Sequence, residues 1–236
     1  MPNITDNLAD IHQQIENSTK NIGRHQTDIT LLAVSKGQPA MAIRQAYEAG
    51  QRHFGENYLQ EALEKQHQLS DLQDIQWHFI GPIQSNKTRK IAENFDWVHS
   101  VDRKKIAERL SAYRPEEYPP LNVCLQVNID REESKSGIAI DDVKSLALDI
   151  ASLPKLKLRG LMAIPQGRPT VYEQQQPFAT LKRLLVELQS CSPKLATLDT
   201  LSMGMSGDME AAIIEGSTIL RIGTAIFGPR QYPKNT

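Results

Sequence analysis

Short apolar stretches alternate with amphipathic ones along almost the whole chain. The clearest apolar stretch, Ile29–Lys36, contains an unbroken run of leucine, alanine and valine and ends in a lysine. Such a run predicts a strand that is buried on both faces. The next segment starts with Pro39 and is followed by Gly50. Proline is typical of the first turn of a helix and glycine of the position just after its end, so this segment is predicted to be a helix. Apolar residues at helical spacing also predict a leading helix over residues 3–21.

The alternation predicts eight strand–helix units, each about 25 residues long. Eight regular units favour closure, so the prediction is a single (β/α)8 TIM barrel over residues 1–236, with an extra N-terminal helix. A doubly wound open sheet is the alternative. The helices between strands are predicted over residues 39–49 and 58–69, from residue 85 or 86, after a cap at Asp102, over 141–153, in parts around Pro177 as far as Gln189, and over 208–214. The predicted strands are Ile29–Ser35, His53–Asn57, Trp77–Gly81, Trp97–Val101, Leu121–Ile129, Leu158–Ile164, Leu198–Met203 and Thr218–Phe227.

Composition and charge narrow the classes of function. The 27 lysines and arginines nearly balance the 28 acidic residues, whereas proteins that bind nucleic acids usually have a basic excess. No apolar run approaches the length of a membrane span, and residues 1–10 lack the pattern of a secretory signal. We therefore expect a cytoplasmic protein that binds neither nucleic acid nor membrane and has no metal site. Cys124 and Cys191 are expected to be reduced.

Lys36 stands where the first strand leaves the predicted sheet, and this is the edge of α/β proteins at which ligands bind. A lysine surrounded by apolar residues loses hydration, which favours the neutral amine that attacks carbonyl groups and forms Schiff bases. A lysine at a strand end more often only reaches solvent. The residues at the other strand ends decide between these two interpretations.

Two other predicted strands end in residues that suit an anionic ligand. The seventh ends in Ser202–Asp208, which contains two serines and two glycines, and the eighth ends in Arg221–Thr224. Backbone N–H groups exposed in such loops bind phosphate, and in barrels the loops after strands seven and eight frequently do so. We count Ser202 and Ser206 among the binding residues. With a Schiff-base lysine on the adjacent first strand, these loops predict a site for pyridoxal 5′-phosphate (PLP), with Arg221 between its two ends.

Three further assignments have two interpretations each. Asn57 ends the second strand, where its amide could hydrogen-bond a ligand hydroxyl or cap the next helix. His78 lies in the third strand beside Trp77, and a structural role is the more common one for such a histidine. Arg221 could face the cofactor ring or pair with an acidic residue of the barrel wall.

Seven motifs spread over nearly the whole chain resemble the YggS-like pyridoxal phosphate homeostasis proteins. They are LLAVSK (residues 31–36), FGENY (54–58), HFIGPIQSNK (78–87), KSG (135–137), GLMAIP (160–165), LSMGMSGDM (201–209) and RIGTAIFG (221–228). The cofactor-binding residues that this resemblance implies are Lys36, as an internal aldimine, Asn57 near the ring hydroxyl, Arg221 near the ring nitrogen, and Ser206, Gly223 and Thr224 at the phosphate.

The resemblance implies a protein that holds PLP for cellular supply or buffering, with no assigned reaction, no catalytic residues and PLP-dependent apoenzymes as candidate recipients. The fold also resembles the barrel domain of alanine racemase, so an amino-acid racemase is the alternative. Racemases of that type add a β-domain that supplies a tyrosine as second base, and only Tyr232 follows the last predicted strand here. An aldolase that forms Schiff bases with a sugar phosphate on Lys36 is a third, less supported class. The role of Lys135 stays open.

Overall fold

Eight parallel strands close into a barrel in which each strand pairs with the next in the sequence and the last pairs with the first. The computed structural model describes residues 3–132 and 136–229, and all eight strands lie in these ranges. The predicted (β/α)8 barrel is therefore confirmed, and the open sheet is wrong. The strands are β1 (Thr30–Val34), β2 (His53–Glu56), β3 (Gln76–Phe79), β4 (Trp97–Val101), β5 (Leu121–Gln126), β6 (Leu156–Met162), β7 (Thr200–Ser202) and β8 (Ile219–Ile222).

Helices surround this barrel. They are α1 (Ile4–Lys20), α2 (Ala40–Glu48), α3 (Leu59–Gln68), α4 (Thr88–Asn94), α5 (Lys104–Tyr113), α6 (Val143–Ile150), α7 (Val171–Cys191), α8 (Met209–Ile214) and α9 (Thr224–Phe227). The first of them, α1, is the predicted extra helix, and it packs against α2, α8 and α9 through its buried face. Asn3 caps α1, because its side chain accepts a hydrogen bond from the backbone N–H of Asp6.

Both faces of β1 are buried, as its apolar run predicts. Leu31 and Ala33 belong to the apolar cluster between the barrel and its helices. Leu32 faces the barrel interior, where its side chain lies 3.2 Å from the position that a Cβ on Gly55 of β2 would occupy. The same alternation, continued past the strand, directs Lys36 toward the C-terminal mouth of the barrel.

The longest helix, α7, is continuous although the sequence predicts a break at Pro177. A proline inside a helix removes one backbone hydrogen bond and costs about 3 kcal/mol. The helix compensates with a capping box, in which Thr170 and Glu173 exchange side-chain hydrogen bonds with each other's backbone N–H groups. It also buries an apolar face that includes Pro177 itself, Phe178 and four leucines. The predicted break is therefore wrong.

Most strand and helix ends differ from the prediction by a few residues, and two of these differences concern how a helix begins. The predicted eighth strand, residues 218–227, ends at Ile222, and the chain turns at Gly223 into α9. Because the strand ends earlier than predicted, the backbone N–H groups after Gly223 lie in the first turn of a helix. The N-cap of α5 is Arg103 instead of Asp102, and the Asp102 carboxylate pairs with the Arg103 guanidinium at 2.8 Å.

Residues 3–132 and 136–229 contain neither a candidate membrane-spanning helix nor a candidate metal cluster. No helix in these ranges is long and apolar enough to cross a bilayer. The same ranges contain no group of three or more histidine, cysteine, aspartate or glutamate side chains placed to hold a metal ion. Cys124 is buried and Cys191 is exposed, and neither thiol is in a disulfide. Burial raises the pKa of the Cys124 thiol to about 12, so this thiol stays protonated.

Candidate functional site

Most of the predicted ligand-binding residues line a single cavity at the C-terminal ends of the strands. This cavity has a volume of about 290 Å³. Because β1 and β8 are neighbours in the closed barrel, the strand-end lysine and the last glycine-rich loop meet there. The predicted residues that line it are Lys36, Asn57, Ser206, Arg221, Gly223 and Thr224.

The backbone on both sides of Lys36 is held by side chains of α3. Lys65 donates a hydrogen bond from Nζ to the carbonyl of Ser35 at 2.7 Å, and the amide of Gly37 donates to Glu61 Oε1 at 2.6 Å. Gly37 has a φ of 70°, a conformation that costs other residues about 1 kcal/mol or more, so the turn after Lys36 favours glycine. The half-buried lysine therefore projects into the cavity from a backbone that is fixed at both neighbours.

The residues that hold this backbone include a buried ion pair. Lys65 is 5% exposed, Glu56 is fully buried, and Lys65 Nζ lies 2.7 Å from Glu56 Oε1. Ser35 Oγ donates a hydrogen bond of 2.7 Å to the same oxygen, and Glu61 Oε1 lies 2.6 Å from Lys65 Nζ. Burial raises the pKa of Glu56, and the charge of Lys65 opposes this shift. We call Ser35, Glu56, Glu61 and Lys65 the Lys65 cluster; sequence reasoning missed it.

The loops after β7 and β8 form another wall of the cavity, with Ser206, Gly207, Gly223 and Thr224. A Cβ on Gly223 would lie 3.1 Å from the carbonyl oxygen of Val34, so the close approach of β8 to β1 favours glycine. Thr224 begins α9, and the first N–H groups of a helix have no partner within it. Hydroxyl groups and free N–H groups on one wall are the donors that a phosphate group requires.

Arg221 lines the cavity from β8 and is 5% exposed. Its guanidinium donates to the backbone carbonyls of Ser202 at 2.5 Å and Ala163 at 2.9 Å, and also to Ser202 Oγ at 2.9 Å. Burial lowers the pKa of Arg221 to about 10, so the side chain stays charged at neutral pH. Its hydrogen bonds thus go to neutral groups, and the Asp208 carboxylate acts on it only through space. The alternative, an ion pair with an acidic residue of the wall, is absent from the contacts described for Arg221.

Asn57 lines the cavity from the end of β2. Its side-chain oxygen is buried and has no hydrogen-bond partner among the described residues. An unsatisfied buried acceptor costs about 1–3 kcal/mol, which a donor on a ligand would relieve. The loop after β3 packs tightly on this residue, because a Cβ on Gly81 would lie 2.1 Å from the carbonyl oxygen of Asn57. Tyr58 is the N-cap of α3, so the interpretation of Asn57 as the cap is wrong.

Ser202 is the one member of the predicted set that does not line the cavity. Its side chain is fully buried behind Arg221, and its Oγ lies 2.8 Å from Nδ1 of His99. The alternation along β7 is the reason, because it directs Ser202 into the barrel interior beneath the mouth. In this structure Ser202 therefore contacts Arg221 and not the cavity, and its predicted contact with a ligand stays a prediction.

His78 belongs to a series of hydrogen-bonded histidines inside the barrel. His53 Nδ1 lies 3.0 Å from His78 Nε2, and His78 Nδ1 lies 2.9 Å from His99 Nε2. Burial lowers the pKa of all three, well below the ordinary value for His78 and to about 3 for His99, where the charge of Arg221 adds to the effect. All three imidazoles are therefore neutral at neutral pH.

These buried histidines should make the stability of the protein depend on pH. His78 and His99 are neutral in the fold, but they take up protons in the unfolded chain below an ordinary pKa of about 6.5. Their contribution is therefore complete above this pH and is lost as the pH falls toward their folded-state values. Between pH 6 and pH 5 they should lower the free energy of unfolding by about 2–3 kcal/mol, measured by urea unfolding. His99→Gln should remove about half of this slope, and an unchanged slope would contradict a neutral His99.

Two residues with open or alternative roles lie outside the described residues. They are Lys135, in the motif KSG, and Tyr232, the tyrosine named for the racemase alternative. All seven predicted cofactor-binding residues lie within the described ranges.

The fold and the site together define a class of protein, the barrel of the alanine racemase N-terminal domain, whose family model matches residues 7–231. Within this class, the chain belongs to the family of the pyridoxal phosphate homeostasis proteins, as its motifs predict. It is 56% identical to the pyridoxal phosphate homeostasis protein of Pseudomonas aeruginosa, covering 98% of each chain. It is 50% identical to the protein of the same name from Escherichia coli, covering 99% of this chain and 100% of that relative.

A solved structure has the same barrel. PipY of Synechococcus elongatus, with PLP bound, is 43% identical to this chain and superimposes with a TM-score of 0.84. The similarity covers 95% of this chain and 100% of PipY. The barrel and the family assignment are thus supported over nearly the full length of both chains.

Proposed function

We propose that this protein binds PLP in the strand-end cavity and serves the cellular balance of this cofactor, and that it has no dedicated reaction. One observation carries the proposal. An amine, a buried cation and a wall of hydrogen-bond donors for a phosphate group all line one cavity of about 290 Å³. The names of the curated relatives and the PLP bound to PipY support it. When bound, the cofactor supplies an aldehyde that reacts with amines and a ring that accepts electrons.

The groups that line the cavity have distinct parts in binding. Lys36 provides the amine for covalent attachment of the aldehyde carbon. Ser206, Gly223 and Thr224 provide hydroxyl and backbone N–H donors for the phosphate. The unsatisfied side-chain amide oxygen of Asn57 would accept a hydrogen bond from a hydroxyl group on the ring. Together these groups fit an aromatic aldehyde that carries a phosphate.

Arg221 favours a protein that holds the cofactor over one that uses it. A guanidinium beside the ring nitrogen disfavours a second positive charge there, which weakens the ring as an electron sink. Aminotransferases instead place a carboxylate at this nitrogen. The hydrogen bonds from Arg221 to Ser202 and Ala163 keep its charge at the cavity wall without neutralising it. The site is therefore poorly suited to transamination, which agrees with a protein that holds the cofactor.

An amino-acid racemase is the second candidate, and the cavity supports it less. Such an enzyme needs a second base across the cofactor from the lysine. Within residues 3–132 and 136–229, no tyrosine, histidine or cysteine lines the cavity. The curated relatives that carry the homeostasis name are also matched over 98% and 100% of their own lengths.

The loaded protein should restore the activity of a PLP-dependent apoenzyme and should not racemise alanine at an enzyme-like rate. Transfer is measured as recovered apoenzyme activity in the presence of a trap for free PLP, and racemisation by chiral chromatography. The matched control is Lys36→Ala incubated with the same amount of PLP. Sustained racemisation that disappears in Lys36→Ala would make the racemase the better interpretation.

Removal of one hydroxyl group that donates a hydrogen bond to the phosphate should weaken the binding of PLP more than the binding of pyridoxal. Hydrogen bonds to charged groups contribute about 1.5–3 kcal/mol, so Ser206→Ala and Thr224→Val should each raise the Kd for PLP about tenfold or more. The Kd for pyridoxal, which lacks the phosphate, should change little. Thr224→Ser keeps the hydroxyl group and is the matched control. Absorbance titrations that show equal losses for PLP and pyridoxal would contradict the assignment of this wall to the phosphate.

A further inference from the structure

Three histidines and Ser202 connect the two ends of the barrel interior. His53 borders a cavity of about 200 Å³ near the N-terminal ends of the strands, whereas Arg221 borders the cofactor cavity at the C-terminal ends. Each neighbouring pair lies within hydrogen-bond distance: 3.0 Å for His53–His78, 2.9 Å for His78–His99, 2.8 Å for His99–Ser202 and 2.9 Å for Ser202–Arg221. We call these side chains, from His53 to Ser202, the histidine chain.

A fixed donor at one end gives the histidine chain a direction. Arg221 can only donate, so Ser202 Oγ accepts from it, and among the contacts described for this hydroxyl His99 Nδ1 is the acceptor left for its single proton. His99 then carries its proton on Nε2 and donates it to His78 Nδ1. His78 in turn donates from Nε2 to His53 Nδ1. The network thus assigns the Nε2–H tautomer to all three imidazoles.

We propose that Ser202, His99 and His78 are positioning residues for Arg221, and that they hold its guanidinium in one orientation toward the ligand. The Ser202 hydroxyl has a single orientation because His99 accepts its proton, and this leaves the oxygen lone pair for Arg221. The proposal rests on the proposed function for the identity of the ligand. The direction of the histidine chain is a property of the protein alone.

The barrel interior supports a role beyond filling space. Branched apolar side chains usually fill the layers inside a barrel, and buried polar groups are stabilising only where each is hydrogen-bonded. The ring of His78 is also stacked on Trp97, with planes 9° apart and centroids 5.4 Å apart, which fixes the middle of the chain. Neutral acceptors stabilise the Arg221 charge without cancelling it, so a net positive charge still faces the cofactor cavity.

Nitrogen-15 NMR of ligand-free protein with labelled histidine tests the direction. Ser202→Ala removes the link to the directing donor, so His99 and His78 should become mixtures of tautomers. His53→Gln changes the opposite end and should leave both residues in the Nε2–H form. His99→Leu interrupts the chain one step further along and gives a second measurement at His78. Equal effects of Ser202→Ala and His53→Gln, or an Nδ1–H form of His99 in the unchanged protein, would overturn the proposal.

Titration with PLP tests whether the hydrogen bond from Arg221 to Ser202 affects ligand binding. Ser202→Ala should raise the Kd for PLP about tenfold and move the pH at which the visible absorption band titrates. Ser202→Thr keeps the hydroxyl group, so the Kd for PLP and the titration pH of the band should match those of the unchanged protein. A residue that only fills space would not need its hydroxyl group for either value. An absorption titration of Ser202→Ala identical to that of the unchanged protein would overturn the positioning role. Failure of the unchanged protein to bind PLP, with the expected tautomers intact, would instead refute the proposed function and leave the direction of the chain supported.

Discussion

Borohydride reduction of the protein loaded with PLP should fix one pyridoxyl-phosphate group on Lys36, and Lys36→Ala should reduce this labelling to background. Lys36 is the lysine that lines the cavity within the described ranges. Its backbone is held in place through the Ser35 carbonyl and the Gly37 amide, so its side chain starts from a fixed point at the edge of the cavity. The labelled residue is identified by mass spectrometry of peptides, and the visible absorption band of the loaded protein should disappear in the same variant.

The control for this experiment is the substitution of an exposed lysine elsewhere on the barrel. Lys87→Ala should leave both the label and the absorption band unchanged, because Lys87 lies outside the cavity lining. A band that persists in Lys36→Ala, or a label on Lys135 in the unchanged protein, would refute the assignment of Lys36 as the covalent site.

Lys65→Met should lower the free energy of unfolding by about 3–5 kcal/mol, the usual cost of removing one partner of a buried ion pair. Glu56 is fully buried and would lose the cation 2.7 Å from its Oε1 atom, while the Ser35 carbonyl would lose the hydrogen bond from Lys65. Urea unfolding measures the loss of stability. Labelling of Lys36 should also slow, because the backbone before it is no longer held.

Two variants separate the ion pair from a general effect of losing a lysine. Lys90→Met replaces an exposed lysine of α4 and should change stability by no more than about 0.5 kcal/mol. The double variant Glu56→Leu/Lys65→Met removes both buried charges and should recover part of the loss. A loss below about 1 kcal/mol in Lys65→Met would show that Glu56 does not depend on this cation.

The barrel and most of the cavity could be predicted from the sequence because both leave local signals. The continuous apolar run before Lys36 indicates a strand buried on both faces, and eight such units in regular alternation indicate closure. Glycines and serines at the ends of the seventh and eighth strands indicate exposed N–H groups, and the structure brings Ser206, Gly223 and Thr224 to one wall. Closure itself places the first and last strands side by side.

Other features depend on tertiary packing that no local signal reports. Lysines are mostly exposed, so nothing in the sequence of α3 indicates that Lys65 is buried. Pro177 is a strong local break signal, yet the packing of α7 overrides it. The histidine chain did leave a signal: Phe79 and Val98 face the helices, so the adjacent His78 and His99 must face the barrel interior. This signal appears only when the alternation along both strands is considered together, and not from either histidine alone.

The backbone around Lys36 also bears on how quickly a bound molecule can come and go. Lys65 and Glu61 fix the peptide groups on either side of this residue in the ligand-free protein. These peptide groups therefore lose little conformational entropy on loading, and ordering of the Lys36 side chain costs about 0.5–1.5 kcal/mol. Release likewise requires no rearrangement of these two peptide groups, which favours rapid uptake and release. Rapid exchange of this kind suits the proposed role in the cellular balance of PLP better than very tight binding would.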